Sequence, residues 1–177
     1  MSLKVFYAKA EAKVQPIPFR LRVLKGLTAV MERVNPDNGF HHDLRGKVFR
    51  GRIRYDQNDP IPMVSILEAA IPQETNGSGG GSTGSTGEWE LLIQGFAEDD
   101  RLNPTDPAHH LMAEVKAVFA QDKQKDNGHN IAGMGGRVMA MSIGQGTVRP
   151  AEDPTTEAFF WLTLTLRVGE LLDQPYN

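Results

Sequence analysis

Histidines are the side chains of this chain best suited to metal binding or acid–base chemistry. They are His41, His42, His109, His110 and His129. The first doublet lies beside Asp43 and the second near Asp106, and imidazole with carboxylate is a common zinc ligand set. Adjacent residues point in different directions on a strand or a helix, so neither doublet presents two ligands to one ion easily. The spacing therefore argues against a metal site, and a metal-dependent hydrolase is the least favoured interpretation.

Two further patterns have the composition of a chemical site without its spacing. The glycines at 133, 135 and 136 lack the GxGxxG order and precede a predicted strand rather than a helix. The acidic clusters at 98–100 and 152–153 supply the paired carboxylates that acid–base catalysis uses, but a solvated loop is the simpler interpretation. The absence of cysteine excludes a cysteine nucleophile, thiolate ligands and disulfides. The sequence predicts no enzyme, no catalytic residue, no cofactor and no metal.

Residues 45–71 are the most informative stretch, and they predict recognition rather than catalysis. On a predicted strand over 47–55, a period of two places Arg50, Arg52 and Arg54 on one face. Same-face residues lie about 6.6 Å apart, so the three guanidinium groups would form a basic ladder that needs an acidic partner. Three partners remain open: a neighbouring strand, another subunit or a pore, and nucleic acid. The acidic residues that a neighbouring strand offers are Glu68, Glu88 and Glu90.

Formal charge is distributed unevenly along the chain. Residues 1–55 hold 12 Lys/Arg and 4 Asp/Glu, which gives +8, whereas residues 56–177 hold 7 and 18, which gives −11; the sum is −3. The two parts can pack on each other, or give each subunit oppositely charged faces that stack on further copies. The pI of about 5.9 shows that the chain lacks the basic excess of most nucleic-acid-binding proteins.

No apolar run approaches the ~20 residues that span a bilayer.

The periodicity predicts one α+β domain over residues 1–177, with two helices packed on a mostly antiparallel five-stranded sheet. The predicted order is helix, three strands, helix, two strands. The first helix begins near Pro18 and ends near Asn35, because Pro36 disfavours helix in the residue before it. Thr105 or Asp106 is expected to cap the second helix. The predicted strands span residues 47–55, 62–71, 88–96, 137–143 and 158–168.

Two segments are expected to lack regular structure. Residues 1–15 show no clear periodicity and predict a flexible arm. The Gly/Ser-rich residues 73–87 cannot bury apolar surface and predict a flexible hairpin loop between two strands. Residues 144–155 are interpreted as a turn region.

The last predicted strand has the clearest alternation. One face carries Phe160, Leu162, Leu164, Leu166 and Val168. The opposite face includes Trp161 and Arg167, and Trp and Arg are residue types favoured as interface anchors. Two interpretations of this second face remain open: core packing under a helix, and an interface between protomers.

Six segments carry a family resemblance. They are the helix PFRLRVLKGLTAVMERVNPDNGF, the stretch DLRGKVFRGRIRY, the strand PIPMVSILEAA, the strand GEWELLIQGFAED, the helix NPTDPAHHLMAEVKAVF and the strand TEAFFWLTLTLRV. In this order, over residues 17–170, they resemble the tail terminator or tail completion proteins of tailed bacteriophages. The Gly/Ser tract at 77–87 departs from that pattern.

The resemblance implies a non-enzymatic virion protein that is assembled in the host bacterial cytoplasm and lies at the head-proximal end of the tail. Its implied partners are further copies in a homohexameric ring, the tail tube protein and the head–tail connector protein. It implies that DNA passes through the ring without sequence-specific binding, and it implies no membrane and no small-molecule substrate. The candidate contacts to other subunits, tube or pore are Arg45, Lys47, Arg50, Arg52, Arg54, Trp161 and Arg167. A basic-faced nucleic-acid-binding module, and another head–tail connector or neck protein, remain open as alternatives.

Overall fold

The computed structural model describes residues 15–54, 56, 58–68, 83–98, 100–151 and 157–176. Within these residues, two α-helices pack on one six-stranded, mostly antiparallel sheet, so the α+β class is confirmed. The helices are α1, Phe19–Met31, and α2, Asp106–Lys123. The strands are β1, Val48–Arg50; β2, Met63–Glu68; β3, Gly84–Ala97; β4, Val138–Ile143; β5, Thr147–Arg149; and β6, Ala158–Leu171. Short 3₁₀ turns span Pro36–Asn38, Lys125–Gly128, Ile131–Gly133 and Gly135–Arg137.

The centre of the sheet is a long antiparallel pair formed by β3 and β6. Their register runs without a break from Gly84 opposite Leu171 to Ala97 opposite Ala158. The strand order is β1-β2-β3-β6-β4, and β5 pairs with β6 beyond the end of β4. Only the β1–β2 pair is parallel among these neighbours.

The core lies between the helices and one face of this sheet. The residues of β6 that the alternation assigns to the core are all buried, as predicted. They pack with the apolar stripes of the two helices in one cluster, to which α1 contributes Leu24, Leu27, Val30 and Met31. Burying a large aliphatic side chain contributes roughly 1.5–3 kcal/mol. Neither α1 nor α2 has the length and hydropathy of a membrane-spanning helix.

One boundary and the number of strands differ from the prediction, because backbone pairing overrides side-chain composition. Residues 84–87, which were expected in the flexible loop, are the first four residues of β3, since the end of β6 extends to Leu171 and supplies their partners. Residues 69–82, which include most of that loop, lie outside the described residues, as do residues 1–14 of the expected arm. The sheet has six strands rather than five, because β5 pairs with β6 inside the predicted turn region.

The helix ends also differ from their predictions. α1 ends at Met31 rather than near Asn35, because the Asn35 side chain accepts a hydrogen bond from the Asn38 N–H and begins a 3₁₀ turn instead. Thr105 occupies the N-cap position of α2, as predicted. Its side chain makes no capping hydrogen bond, so the predicted interaction is wrong.

Candidate interaction surfaces

The arginine ladder predicted over residues 47–55 does not form. β1 ends at Arg50, and Gly51 adopts a left-handed conformation with φ +72° that turns the chain. Arg50 lies on the helix side of the sheet, where its Nη1 donates to the Thr28 hydroxyl at 2.7 Å. Arg52 lies on the opposite side, with its guanidinium 4.2 Å from the centre of the Phe49 ring. The two arginines therefore point to opposite faces rather than along one.

The partners of these arginines come from the same chain. Arg52 forms an ion pair with Asp59, in the connection between β1 and β2. Cross-strand pairing with glutamates of the sheet is wrong for Arg50 and Arg52, and the residue opposite Glu88 is Arg167. Arg54 is exposed, and among the described residues it makes no ion pair. Of the three arginines, Arg54 is the one most available to a partner.

Arg45 and Lys47 lie just before β1, and they differ in accessibility. Arg45 is exposed and pairs with Asp37 and Asp43 at 2.6 Å each. Hydrogen bonds from the side chain and backbone of Arg45 lower the pKa of Asp43 to about 2. Lys47 is partly buried, and its carbonyl accepts a hydrogen bond from the Val64 N–H at 3.0 Å, which fastens β1 to β2. Exposed ion pairs such as those of Arg45 contribute little to stability.

The face of the sheet opposite the helices is the outer face, and its β6 part is open. Trp161 is 39% exposed, and its ring centre lies 5.2 Å from that of Phe159. Phe96 of β3 continues the aromatic row, 6.2 Å from Phe159. Arg167 is exposed on the same face, nearer the far end of β6. Core packing under a helix is therefore wrong for Trp161, which leaves the protomer-interface interpretation for this face as a prediction.

The same outer face is closed at β2. Met63 and Ser65 are fully buried and Phe96 is 5% exposed, although all three point away from the helices. Arg52 stacks on Phe49 of the neighbouring strand β1, on this side of the sheet. The open area described above therefore lies on β6, at Trp161 and Arg167.

The first histidine doublet serves to attach a turn to α2. The Glu114 carboxylate accepts hydrogen bonds from the His41 N–H at 2.7 Å and the His42 N–H at 3.2 Å, and lies 2.7 Å from His42 Nδ1. Burial alone would raise the pKa of Glu114, but these hydrogen bonds outweigh it, so the pKa lies below its usual value. No group of three or more metal-ligating side chains occurs in the part of the chain that the structure describes.

Asp122 is a structural residue that the sequence analysis missed. It is buried near the end of α2, and it accepts a hydrogen bond from the Ala132 N–H at 2.7 Å. Arg33 and Lys125 each approach the same carboxylate to 3.4 Å. Helical spacing in the sequence already indicates that Asp122 is buried. It follows Val118 by four residues and Phe119 by three, and so falls on the buried stripe of the helix.

A groove of about 350 Å³ opens where β3 begins and β6 ends. Its lining residues are Gly84, Ser85, Thr86, Gly136, Arg137, Gly169, Glu170 and Leu171. The Arg137 guanidinium lies 4.0 Å from the centre of the Phe19 ring, and Arg20 pairs with Glu170 at 2.5 Å. Because the lining comes from three separate segments, no local motif in the sequence could reveal this groove.

Comparison of the chain with protein-family models and with curated proteins returns no match.

Proposed function

We propose that this protein is a tail terminator of a tailed bacteriophage. It forms a homo-oligomeric ring, hexameric by resemblance, on the head-proximal end of the tail tube. There it stops tube polymerisation and offers a surface to the head–tail connector, while DNA passes through the ring. The six segments that carry the family resemblance support this proposal, and the α+β fold is the class that the resemblance implies.

The observation that carries the proposal is the open outer face of β6. Trp161 is 39% exposed and its ring centre lies 5.2 Å from that of Phe159, so an aromatic pair on a central strand reaches the solvent. Tryptophan and arginine are enriched among residues that contribute most to protein–protein binding, and Arg167 lies on the same face. These features support contact with another protein, either a further copy or the tube.

The structure removes the main support for a nucleic-acid-binding module. That alternative depended on three arginines presented together to phosphate groups. Arg50 is instead bonded to Thr28, and Arg52 is paired with Asp59. A tail terminator needs no such ladder, so the proposal does not depend on it.

Tube polymerisation in the presence of this protein tests the function. Tail tube protein of the same phage is allowed to polymerise with increasing amounts of the ring protein, and tube lengths are measured by negative-stain imaging. We expect shorter tubes that carry additional density at one end only. Tube lengths that do not change at any amount of added protein would contradict the proposal.

A pair of variants links this function to the outer face. Trp161→Ala removes the exposed aromatic anchor, and we expect the concentration for half-maximal tube shortening to rise by at least about 30-fold. His110→Ala is the control, because His110 is exposed on α2, on the other side of the sheet from the outer face. The control should behave like the unmodified protein, and equal effects of the two changes would argue against a specific role for Trp161.

A further inference from the structure

Exposed apolar side chains are concentrated at one end of the β3–β6 pair, which we name the groove end. It carries the groove beside Arg137 together with five large apolar residues that are at least 37% exposed. These are Leu21, Met139, Leu171, Leu172 and Tyr176. Hydrogen bonds from the Phe19 N–H to the Pro175 carbonyl and from the Leu172 N–H to the Thr83 carbonyl, both at 2.9 Å, hold this end together. Leu171 lines the groove and the more exposed Leu172 follows it in the chain, so apolar surface adjoins the groove.

The opposite end of the same strand pair is named the loop end, and it comprises Glu98, Asp100, Arg101 and Leu102 in the loop that follows β3. Leu102 is 87% exposed, the highest value for a large apolar side chain in the described residues. Asp100 accepts hydrogen bonds from the Leu102 and Asn103 N–H groups, which fix the loop and lower the pKa of Asp100. The loop therefore presents Leu102 to solvent in a defined conformation.

The two ends carry opposite formal charges. The groove end has Arg20, Arg22 and Arg137 against Glu170 and Asp173, which gives 3 − 2 = +1. Around the loop end, Glu98, Asp100, Asp106 and Glu157 against Arg101 and Arg149 give 2 − 4 = −2.

The two ends cannot meet within one chain. β3 has 14 residues, so at roughly 3.3 Å per residue its ends lie about 43 Å apart. Pairing of like ends between two copies would bring like charges together, whereas pairing of unlike ends joins opposite charges and covers apolar surface on both sides. Contacts between unlike ends are heterologous, and they close into a ring when the rotation between copies permits it.

We propose that the loop end of one copy binds the groove end of the next copy, with Leu102 as the apolar anchor against Leu171 and Leu172. This inference rests on the proposed function, because it names the surfaces that join the protomers of the ring. It also makes the ring directional, since every copy contacts one neighbour through its loop end and the other neighbour through its groove end.

Two single changes at exposed positions test the contact. Leu102→Asp blocks the loop end, and Leu172→Asp blocks the groove end, where Leu172 is 66% exposed. Each variant alone should be monomeric, with an association constant at least about 30-fold lower than that of the unmodified protein. Ile53→Asp is the matched control, because Ile53 is also 66% exposed but belongs to neither end. The control should assemble like the unmodified protein.

A mixture of the two variants gives the decisive measurement. The intact groove end of the Leu102→Asp chain can still bind the intact loop end of the Leu172→Asp chain, while both remaining ends are blocked. Equal amounts should therefore form a dimer of twice 19.5 kDa, and nothing larger, in light scattering.

The outcomes separate this inference from the function on which it rests. If the unmodified protein forms rings and either variant also forms them, or if the mixture stays monomeric, the inference is wrong and the ring stands. If Ile53→Asp also dissociated the ring, the assignment of the contact between copies to the loop end and the groove end would be wrong. If the unmodified protein forms no ring in solution or on tail tubes, the proposed function itself fails.

Discussion

At the scale of single residues, two carboxylates of α2 hold neighbouring segments in place. Asp122 is 2% exposed and fixes the Ile131–Gly133 turn through the Ala132 N–H. Glu114 is partly buried and fixes the turn at His41 and His42. Backbone N–H groups take the place of water as hydrogen-bond partners of each carboxylate. Both residues therefore contribute to the stability of the fold, although neither lies on a proposed binding surface.

Replacing Asp122 by alanine should lower the free energy of unfolding by about 1–3 kcal/mol, because the Ala132 N–H is left without a partner. Urea unfolding followed by circular dichroism measures this change. Asp173→Ala is the control, since Asp173 is exposed, and it should change the free energy of unfolding by less than about 0.5 kcal/mol. Equal effects of the two substitutions would contradict a structural role for Asp122.

Glu114 should make stability depend on pH in the acidic range. Its pKa in the folded protein is lowered, so its stabilising contribution is fully present above the unfolded value of about 4.3 and is lost as the pH falls through the lower folded value. Glu114→Gln should therefore cost about 1–3 kcal/mol at pH 7, and the difference from the unmodified protein should narrow in more acidic solution. Urea unfolding at a series of pH values measures both effects.

The exposed residue Glu98 provides the control for the cost of the substitution at pH 7. Glu98→Gln should change the free energy of unfolding there by less than about 0.5 kcal/mol. The difference in free energy of unfolding between Glu114→Gln and the unmodified protein should shrink as the pH falls. A difference that stayed constant from pH 7 into the acidic range would show that ionisation of Glu114 does not stabilise the fold.

At the scale of elements, α1 lies unusually close to the turn that Asp122 fixes. A Cβ atom added at Gly26 would lie 2.2 Å from the Ala132 carbonyl oxygen, which is a backbone atom that cannot rotate away. Ala132 itself has a positive φ of 52°, so the turn is already in a restricted conformation. The contact between α1 and the turn therefore depends on the absence of a side chain at position 26.

Gly26→Ala separates this packing effect from helix propensity. Propensity alone predicts stabilisation by up to about 1 kcal/mol, since alanine is the better helix former. The close contact predicts destabilisation by about 1–3 kcal/mol, and we expect the contact to dominate. Thermal and urea unfolding decide the sign. Gly136→Ala is the control, because nothing lies within 4 Å of the added Cβ, and a stabilised Gly26→Ala protein would contradict the packing argument.

Elements that depend on their own periodicity could be predicted from the sequence, and elements that depend on distant partners could not. The alternation of β6 correctly identified its buried residues, because one face of a strand against a helix layer must be apolar. The alternation of arginines from the end of β1 onward had the same period but a different cause. Gly51 turns the chain there, and the partners of Arg50 and Arg52 come from α1 and from the β1–β2 connection.

The candidate surfaces show the same limit. Trp161 and Arg167 were assigned to the correct face because strand alternation is local. The groove end brings together α1, the start of β3, the start of β4 and the end of β6, which are far apart in the chain. β5 and residues 84–87 were missed for a related reason, since β6 provides their hydrogen-bond partners whatever their side chains are.

At the scale of the whole molecule, part of the charge asymmetry is neutralised within the chain. Arg20 pairs with Glu170 and Arg33 with Asp122, so basic residues of the first part of the sequence meet acidic residues of the second. The internal interpretation of the asymmetry thus holds for these pairs. The opposite charges that remain at the two ends of the β3–β6 pair support the interpretation in which copies stack on each other.

The central claim is that copies of this protein assemble into a closed ring. Light scattering across a concentration series, with negative-stain imaging of the heaviest species, measures this most directly. We expect a particle with a central hole and a mass near six times 19.5 kDa. A monomer at every concentration, which also fails to form a ring on added tail tubes, would contradict the claim.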